Sequence, residues 1–172
     1  MQFLRSKKGL STVVTTLIIL VVSVLLATVV TFYAINVTTT RVQEENLRIS
    51  KAHIWVNSTV AQAAYVIANI GGRDTLIDKI QVRGQDIPWS ATAVFYNRTS
   101  TAPTLDLDYV ADPNATMTGA AADLSLKSGE CLIMYINNPG TISVEDIGTT
   151  CSITVFTASA QYKVEVNVES AS

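Results

Sequence analysis

The chain has 172 residues, of which 48% are apolar, and its 12 basic and 14 acidic side chains give a net charge of −2. This length leaves room for one modest domain beside a long apolar segment. Nucleic-acid binding needs a basic surface to neutralise phosphates, so the charge balance argues against that class of function.

The first predicted element is a long apolar helix near the N-terminus. No charged residue lies between Val13 and Ile35, a run of 23 residues. As a helix this run is about 34 Å long, enough to cross a hydrocarbon core of about 30 Å. The apolar core of a secretory signal has only about 7 to 15 residues. Because lipid cannot pair backbone polar groups, the run is predicted to be a membrane-spanning helix.

A short basic cluster directly precedes this helix. It contains Arg5, Lys7 and Lys8 and is followed by Gly9 and Leu10. An ordinary secretory signal is cut after its apolar core, and the whole signal is discarded. A cut after Gly9 would instead remove the basic tail and keep the apolar helix. This order of segments is that of a pilin precursor.

The sequence KKGLSTVV of residues 7–14, followed by LIILVV at residues 17–22, resembles the class III signal of archaeal type IV pilins and archaellins. In that family a prepilin peptidase cuts after the glycine. The resemblance implies a cleavage site formed by Lys7, Lys8, Gly9 and Leu10, with Leu10 as the first residue of the mature chain.

The family implies an α+β fold, in which a long N-terminal hydrophobic α-helix is followed by an antiparallel all-β globular domain in a lollipop layout. The expected segments are a signal peptide over residues 1–9, a transmembrane and filament-core helix over residues 10–52 and an extracellular β domain over residues 53–172. The precursor would lie in the cell membrane, and the mature subunit in a filament on the cell surface.

The function implied is that of a structural subunit of a pilus-like extracellular filament, with adhesion as its role. Its partners would be copies of itself, the prepilin peptidase and the assembly machinery, with no nucleic acid and no cofactor. Val14 stands where bacterial pilins carry glutamate, which favours the archaeal members. Two alternatives stay open: an archaellin of a motility filament, and a membrane-anchored extracellular binding domain that does not polymerise.

The helix is predicted to continue beyond the span. Val42, Ile49, Ala52 and Val56 approximate one apolar helical face, and Glu44 and Arg48 are an i,i+4 pair.

Strands are predicted after this helix. Residues 60–70 and 76–82 are separated by turn residues and predict a hairpin. Further strands are predicted over residues 91–96, 131–136, 151–158 and 162–168. A loop-rich insertion is predicted over residues 99–128.

Small residues recur along the predicted helix at spacings that place them near one stripe. Such residues let helices approach closely within lipid, where apolar attraction alone does not drive association. The alternative is that a membrane span merely tolerates them. The candidate packing residues are Thr16, Ser23, Ala27, Thr31, Ala34 and Thr38.

Two covalent features suit an exported domain. Cys131 and Cys151 are the only cysteines, and a bridge closing a loop of about 20 residues would contribute about 3 kcal/mol. The alternative is two buried free thiols. Asn57, Asn97 and Asn114 each begin an Asn-X-Thr sequon and are candidate glycosylation sites, the last two in predicted loops.

Residues that could carry catalysis or bind a metal are sparse. His53 is the only histidine and has no cysteine or carboxylate partner nearby in the sequence, so it is expected to be a surface residue at a helix end and not a metal ligand or a base. Asp106, Asp108 and Asp112 have part of the spacing of a calcium loop, but Met117 stands where that loop requires glutamate. The sequence therefore predicts neither an enzyme nor a metal site.

Overall fold

A computed structural model describes residues 7–42 and 44–171, with side chains described for residues 11–40 and 44–171. The chain divides into two compact units between Val42 and Gln43, and each is described by itself. The first unit contains one helix, α1, from Lys7 to Val42. The second is a mostly β domain, so the coarse α+β layout is confirmed.

Helix α1 has the length and apolar composition of a membrane span. Its segment Ser11–Thr40 contains 30 residues, and none of it is buried within the unit. Large apolar side chains lie on every side of it, including Leu26 and Phe32, which are 66% and 70% exposed. A helix that is apolar all round is one that is covered by lipid or by other protein.

Over residues 44–171 the domain contains ten strands and two short 3₁₀ turns, Pro113–Ala115 and Val144–Asp146. The strands are β1 Leu47–Val56, β2 Ala61–Asn69, β3 Thr75–Val82, β4 Gln85–Ile87, β5 Val94–Thr99, β6 Thr118–Gly119, β7 Leu124–Leu126, β8 Cys131–Asn137, β9 Thr150–Thr157 and β10 Gln161–Ser170.

The strands form one hydrogen-bonded sheet in the order β4-β3-β9-β10-β1-β2-β8-β5-β6, and β7 also pairs with β3. The sheet is curled, because a single hydrophobic cluster includes Ile87 of β4 and Val94 of β5 from opposite ends of this order. Its inner face therefore encloses the core. The all-antiparallel expectation is wrong at one place, where β1 and β10 pair in parallel from Ile54 with Val168 to Val56 with Ser170.

The helix predicted to extend to residue 52 ends at Val42, and β1 occupies residues 47–56. The cause of this error is a bulge in β1. Lys51 has φ of 51°, and the pairing of β1 with β2 shifts register between Ser50 and His53. The bulge adds one residue to the alternation, so Ile49 and Ala52 both pack against the inner core. A spacing of three between inward residues imitates a helical face.

The hairpin predicted from residues 60–70 and 76–82 is also wrong, although both strands exist. β2 pairs with β1 and β8, whereas β3 pairs with β4, β7 and β9. The turn between them packs on the start of the domain instead. A Cβ at Gly71 would lie 2.6 Å from the carbonyl oxygen of Glu44, so only glycine fits there.

A second cluster covers part of the outer face of the sheet. Trp55, Val66, Phe95 and Tyr135 point outward and are nonetheless buried. They are covered by the strap, a name used here for residues 104–110 of the insertion. Because β2 is buried on both faces, its residues 63–68 form a continuous apolar run and show no alternation.

Tyr65 places a hydroxyl group in the inner core. Its side chain is 0% exposed, and its oxygen has no hydrogen-bond partner among the described residues. Burial raises the pKa of this hydroxyl above its ordinary value, so it stays neutral. A buried hydroxyl without a partner costs about 1 to 3 kcal/mol.

We expect Tyr65→Phe to leave the free energy of unfolding unchanged or to raise it by about 1 kcal/mol, because only the unpaired hydroxyl is removed. Urea unfolding of the full chain in detergent, followed by tryptophan fluorescence, measures this. Tyr65→Ala is the control and should cost about 3 to 5 kcal/mol through the cavity it leaves. A clear loss of stability in Tyr65→Phe would mean that the hydroxyl has a partner.

Candidate functional sites

The stripe of small residues lies on one side of α1. With 3.6 residues per turn, all six positions from Thr16 to Thr38 fall within an arc of about 80°. A shallow depression marks the middle of the stripe. It is lined by Ser23, Leu26, Ala27, Val30 and Thr31.

The hydroxyl groups of the stripe are satisfied within the helix. Ser23 Oγ donates to the carbonyl oxygen of Ile19 at 2.6 Å, and Thr31 Oγ1 donates to that of Ala27 at 2.8 Å. Thr38 Oγ1 donates to Ala34 in the same way at 2.8 Å. These side chains therefore add little polarity to the stripe, and they offer close packing more than hydrogen bonds to a neighbour.

The predicted cleavage residues Lys7, Lys8, Gly9 and Leu10 form the first turn of α1. Their side chains lie outside the described residues. The peptidase site therefore stays a prediction from the sequence.

The predicted disulfide is not formed: Cys131 and Cys151 are both buried free thiols. Cys131 alternates along β8 with the inward-facing Leu132 and so lies on the outer face. Cys151 belongs to the inner core. Since successive side chains of a strand point to opposite faces, the two sulfur atoms project from different faces of the sheet. Burial also raises the pKa of the Cys131 thiol, which makes it less reactive.

The three candidate sequons occupy different environments. Asn57 lies at the tip of the β1–β2 hairpin, and Asn114 lies in a 3₁₀ turn; both are exposed. Asn97 is exposed as well but belongs to strand β5, so its prediction as a loop residue is wrong. A fourth sequon asparagine, Asn36, donates from Nδ2 to the carbonyl oxygen of Phe32 within α1 at 3.0 Å.

His53 joins two parts of the domain on its outer face. Its Nε2 lies 3.1 Å from Oδ1 of Asp106 in the strap, and its Nδ1 lies 3.7 Å from Oε2 of Glu169 in β10. Its ring stacks on that of Trp55, with centroids 5.2 Å apart. The expectation of a lone surface histidine at a helix end is therefore wrong, because His53 fastens the strap.

Other contacts hold the strap along its length. Lys51 Nζ donates to the carbonyl oxygens of Thr104, at 2.8 Å, and Leu105. Tyr135 Oη donates to the carbonyl oxygen of Asp108 at 2.9 Å. Gln62 is 1% exposed and pairs with the backbone of Val110 at 2.8 and 3.0 Å. Gln62, a polar residue at the start of the apolar run of β2, is the one signal of these strap contacts in the sequence.

Two acidic residues of the insertion make local contacts. Asp106 binds His53, and Asp112 Oδ1 accepts from the backbone nitrogen of Asn114 at 3.1 Å. Among residues 7–42 and 44–171, no group of three or more histidine, cysteine or acidic side chains is placed to hold a metal ion.

No protein-family model and no curated protein matches this chain.

The function must therefore be inferred from the chain itself. Helix α1 offers a long apolar surface with a small-residue stripe. In the domain, the strap contacts account for the only histidine of the chain.

The contacts of Asp106 predict that the strap is sensitive to acid. The hydrogen bond from His53 and that from the backbone nitrogen of Leu107 hold the pKa of Asp106 below its ordinary value, and the charge of Lys51 adds to this. A depressed pKa stabilises the folded state above the ordinary value of about 3.9, and this contribution is lost as the pH falls through the lower, folded value.

We expect acid below about pH 4 to loosen the strap, and Asp106→Asn to reduce this acid-dependent change. Emission of Trp55 in a Trp89→Phe background reports the loosening, because Trp55 lies under the strap. Asp123→Asn removes an exposed carboxylate elsewhere and should keep the original acid profile. Identical profiles for the parent chain and Asp106→Asn would contradict this role of Asp106.

Proposed function

We propose that this chain is the structural subunit of an extracellular pilus-like filament, of the archaeal type IV kind, with adhesion as its role. The observation that carries the proposal is α1. It combines the length of a membrane span with an apolar surface that nothing within its own unit covers.

The physical argument starts from where that surface can be stable. Burying one valine, leucine or isoleucine side chain is worth about 1.5 to 3 kcal/mol relative to water, and α1 exposes many of them. The precursor would bury them in lipid. The assembled subunit would bury them against the helices of neighbouring copies, so that the apolar surface never meets water during assembly.

The stripe of small residues supports packing against neighbouring helices as the environment of α1 in the assembled filament. Lipid tails are as apolar as leucine, so helices associate through close packing and not through the hydrophobic effect. Small side chains from Thr16 to Thr38 on one side of α1 permit that approach. Their hydroxyl groups already have partners within α1, which leaves no polar group to be buried unpaired.

The domain supports the role of the filament surface. Its inner core is closed by its own strands, and the strap covers the aromatic cluster outside the sheet. The domain can therefore face water while α1 does not. The basic residues before Gly9 supply the remaining support, since they match the recognition element of a prepilin peptidase.

Processing gives the first test. We expect the chain recovered from the cell surface to begin at Leu10 and to lack Arg5, Lys7 and Lys8. Intact-mass measurement of the surface material decides this. Gly9→Leu should block the cut, whereas Lys127→Ala, a change of one basic residue in the domain, should not. Assembled chains that still carry Met1 would rule out the proposed processing.

Packing gives the second test. Ala27→Leu adds bulk to the middle of the stripe, so we expect insertion and cleavage to persist while the filament yield falls at least about tenfold, the effect of roughly 1.4 kcal/mol per contact. Leu25→Ile, about 160° around the helix from Ala27 and outside the depression, should change the yield little. Yield is measured from sheared surface fractions against the membrane-bound pool. Equal yields would exclude the stripe as the contact face, and a membrane-bound chain that never assembles would favour the anchored domain.

A further inference from the structure

We propose that a groove at the end of the β1–β2 hairpin holds the first sugars of an oligosaccharide attached to Nδ2 of Asn57. This inference rests on the proposed function, because attachment requires export of the domain. It names a modification site and the surface that the attached group would occupy.

The sequon Asn57-Ser58-Thr59 forms an exposed hairpin tip. Asn57 donates its backbone N–H to the carbonyl oxygen of Val60 at 2.8 Å, and Ser58 and Thr59 make the turn between them. All three sequon residues are exposed. Exposed loop tips are the places where an enzyme can most readily reach the backbone and side chains of a folded domain.

The side chain of Asn57 is oriented for attachment. Its Oδ1 accepts from the backbone nitrogen of Ser58 at 2.5 Å and from Ser58 Oγ at 3.1 Å. These bonds fix the oxygen and leave Nδ2 without a partner among the described residues. Asn36 differs, because its Nδ2 is already bound within α1.

The attachment is a group transfer from an oligosaccharide linked to a lipid phosphate. A bond forms between Asn57 Nδ2 and the anomeric carbon of the first sugar, and the bond from that carbon to the phosphate oxygen breaks. Nδ2 loses one proton, and the lipid phosphate leaves with the electron pair. The product has no added charge at Asn57.

The groove beside this nitrogen has the chemistry of a saccharide site. It has a volume of about 240 Å³ and is lined by two segments, residues 56–61 and residues 138–140 with 142–144. None of the lining residues is charged. Hydroxyl and amide groups, such as those of Thr59 and Asn138, stand beside apolar side chains such as Ile142. A sugar presents the same combination of neutral hydroxyl groups and apolar C–H faces.

The carboxylate of Asp146, which contacts the lining residue Ser143, has its own partners. Asp146 accepts from Ser143 through Oδ2, at 2.9 Å from its backbone nitrogen, and from Arg83 Nη1 through Oδ1 at 2.7 Å. The groove therefore keeps a neutral lining. Neither Asn97 nor Asn114 lines it, which separates Asn57 from the other two candidates.

The test uses the full chain purified from the surface of the cells that produce it. Glycopeptide mapping by mass spectrometry measures sugar on Asn57, and hydrogen exchange measures protection of residues 138–144. Thr59→Ser keeps the sequon and should keep the sugar, whereas Asn57→Gln removes it. Loss of the sugar should speed exchange in residues 138–144 about fivefold, the effect of roughly one net hydrogen bond. Asn114→Gln should leave that exchange unchanged.

Filling the groove tests whether the sugar docks there, independently of whether it is attached to Asn57. Val144 is 48% exposed and lines the groove, so Val144→Trp should block the groove while Asn57 stays modified. In that background we expect Asn57→Gln to have no further effect on exchange. An equal effect of Asn57→Gln with and without Val144→Trp would show that the sugar does not occupy the groove.

The first residue of the recovered chain distinguishes failure of this inference from failure of the proposed function. A bare Asn57 on a chain that begins at Leu10 would overturn this inference alone. A chain that keeps Met1 would overturn the proposed processing as well. If residues 138–144 are protected from hydrogen exchange in a chain whose Asn57 carries no sugar, the groove is assigned to a free saccharide. The inference of an attached oligosaccharide is then overturned.

Discussion

The apolar surface of α1 is the constraint on which the rest of this chain depends. No charged side chain interrupts it from Val13 to Ile35, and its own unit covers none of it. Water is therefore an unfavourable environment for every turn of this segment. Lipid and other protein are the environments that cover such a helix. Under the proposed function, α1 exchanges lipid for the helices of neighbouring copies.

The domain encloses its core with a single sheet. Curling brings β4 and β5 to the same inner cluster, so apolar residues from both ends of the sheet are buried together. The outer face would still expose Trp55 and Tyr135. The strap covers them: it makes polar contacts with Lys51, His53 and Gln62, and its Leu107 packs in the aromatic cluster. Such a domain can be displayed in water without help from α1.

The errors of the sequence-based prediction have specific physical causes. The bulge at Lys51 changed the alternation of β1 and produced a false helical face. The β2–β3 connection reads as a hairpin turn, but Gly71 packs on Glu44 and sends β3 to another part of the sheet. Cys131 and Cys151 suit a bridge by their number and loop length, yet strand alternation places them on opposite faces. The last two errors concern relations between distant residues that spacing along the chain does not encode.

The sequence by itself determined α1, the existence of the strands at residues 61–69, 75–82, 131–137, 150–157 and 161–170, and the placing of small residues on one helical stripe. These follow from local periodicity, which the covalent geometry of helices and strands imposes on nearby residues. The tertiary structure alone decided the sheet order, the parallel pairing of β1 with β10, the role of His53 and the groove beside Asn57. Those depend on which distant segments meet when the sheet curls, because the free energy of that choice lies in packing and in long-range hydrogen bonds.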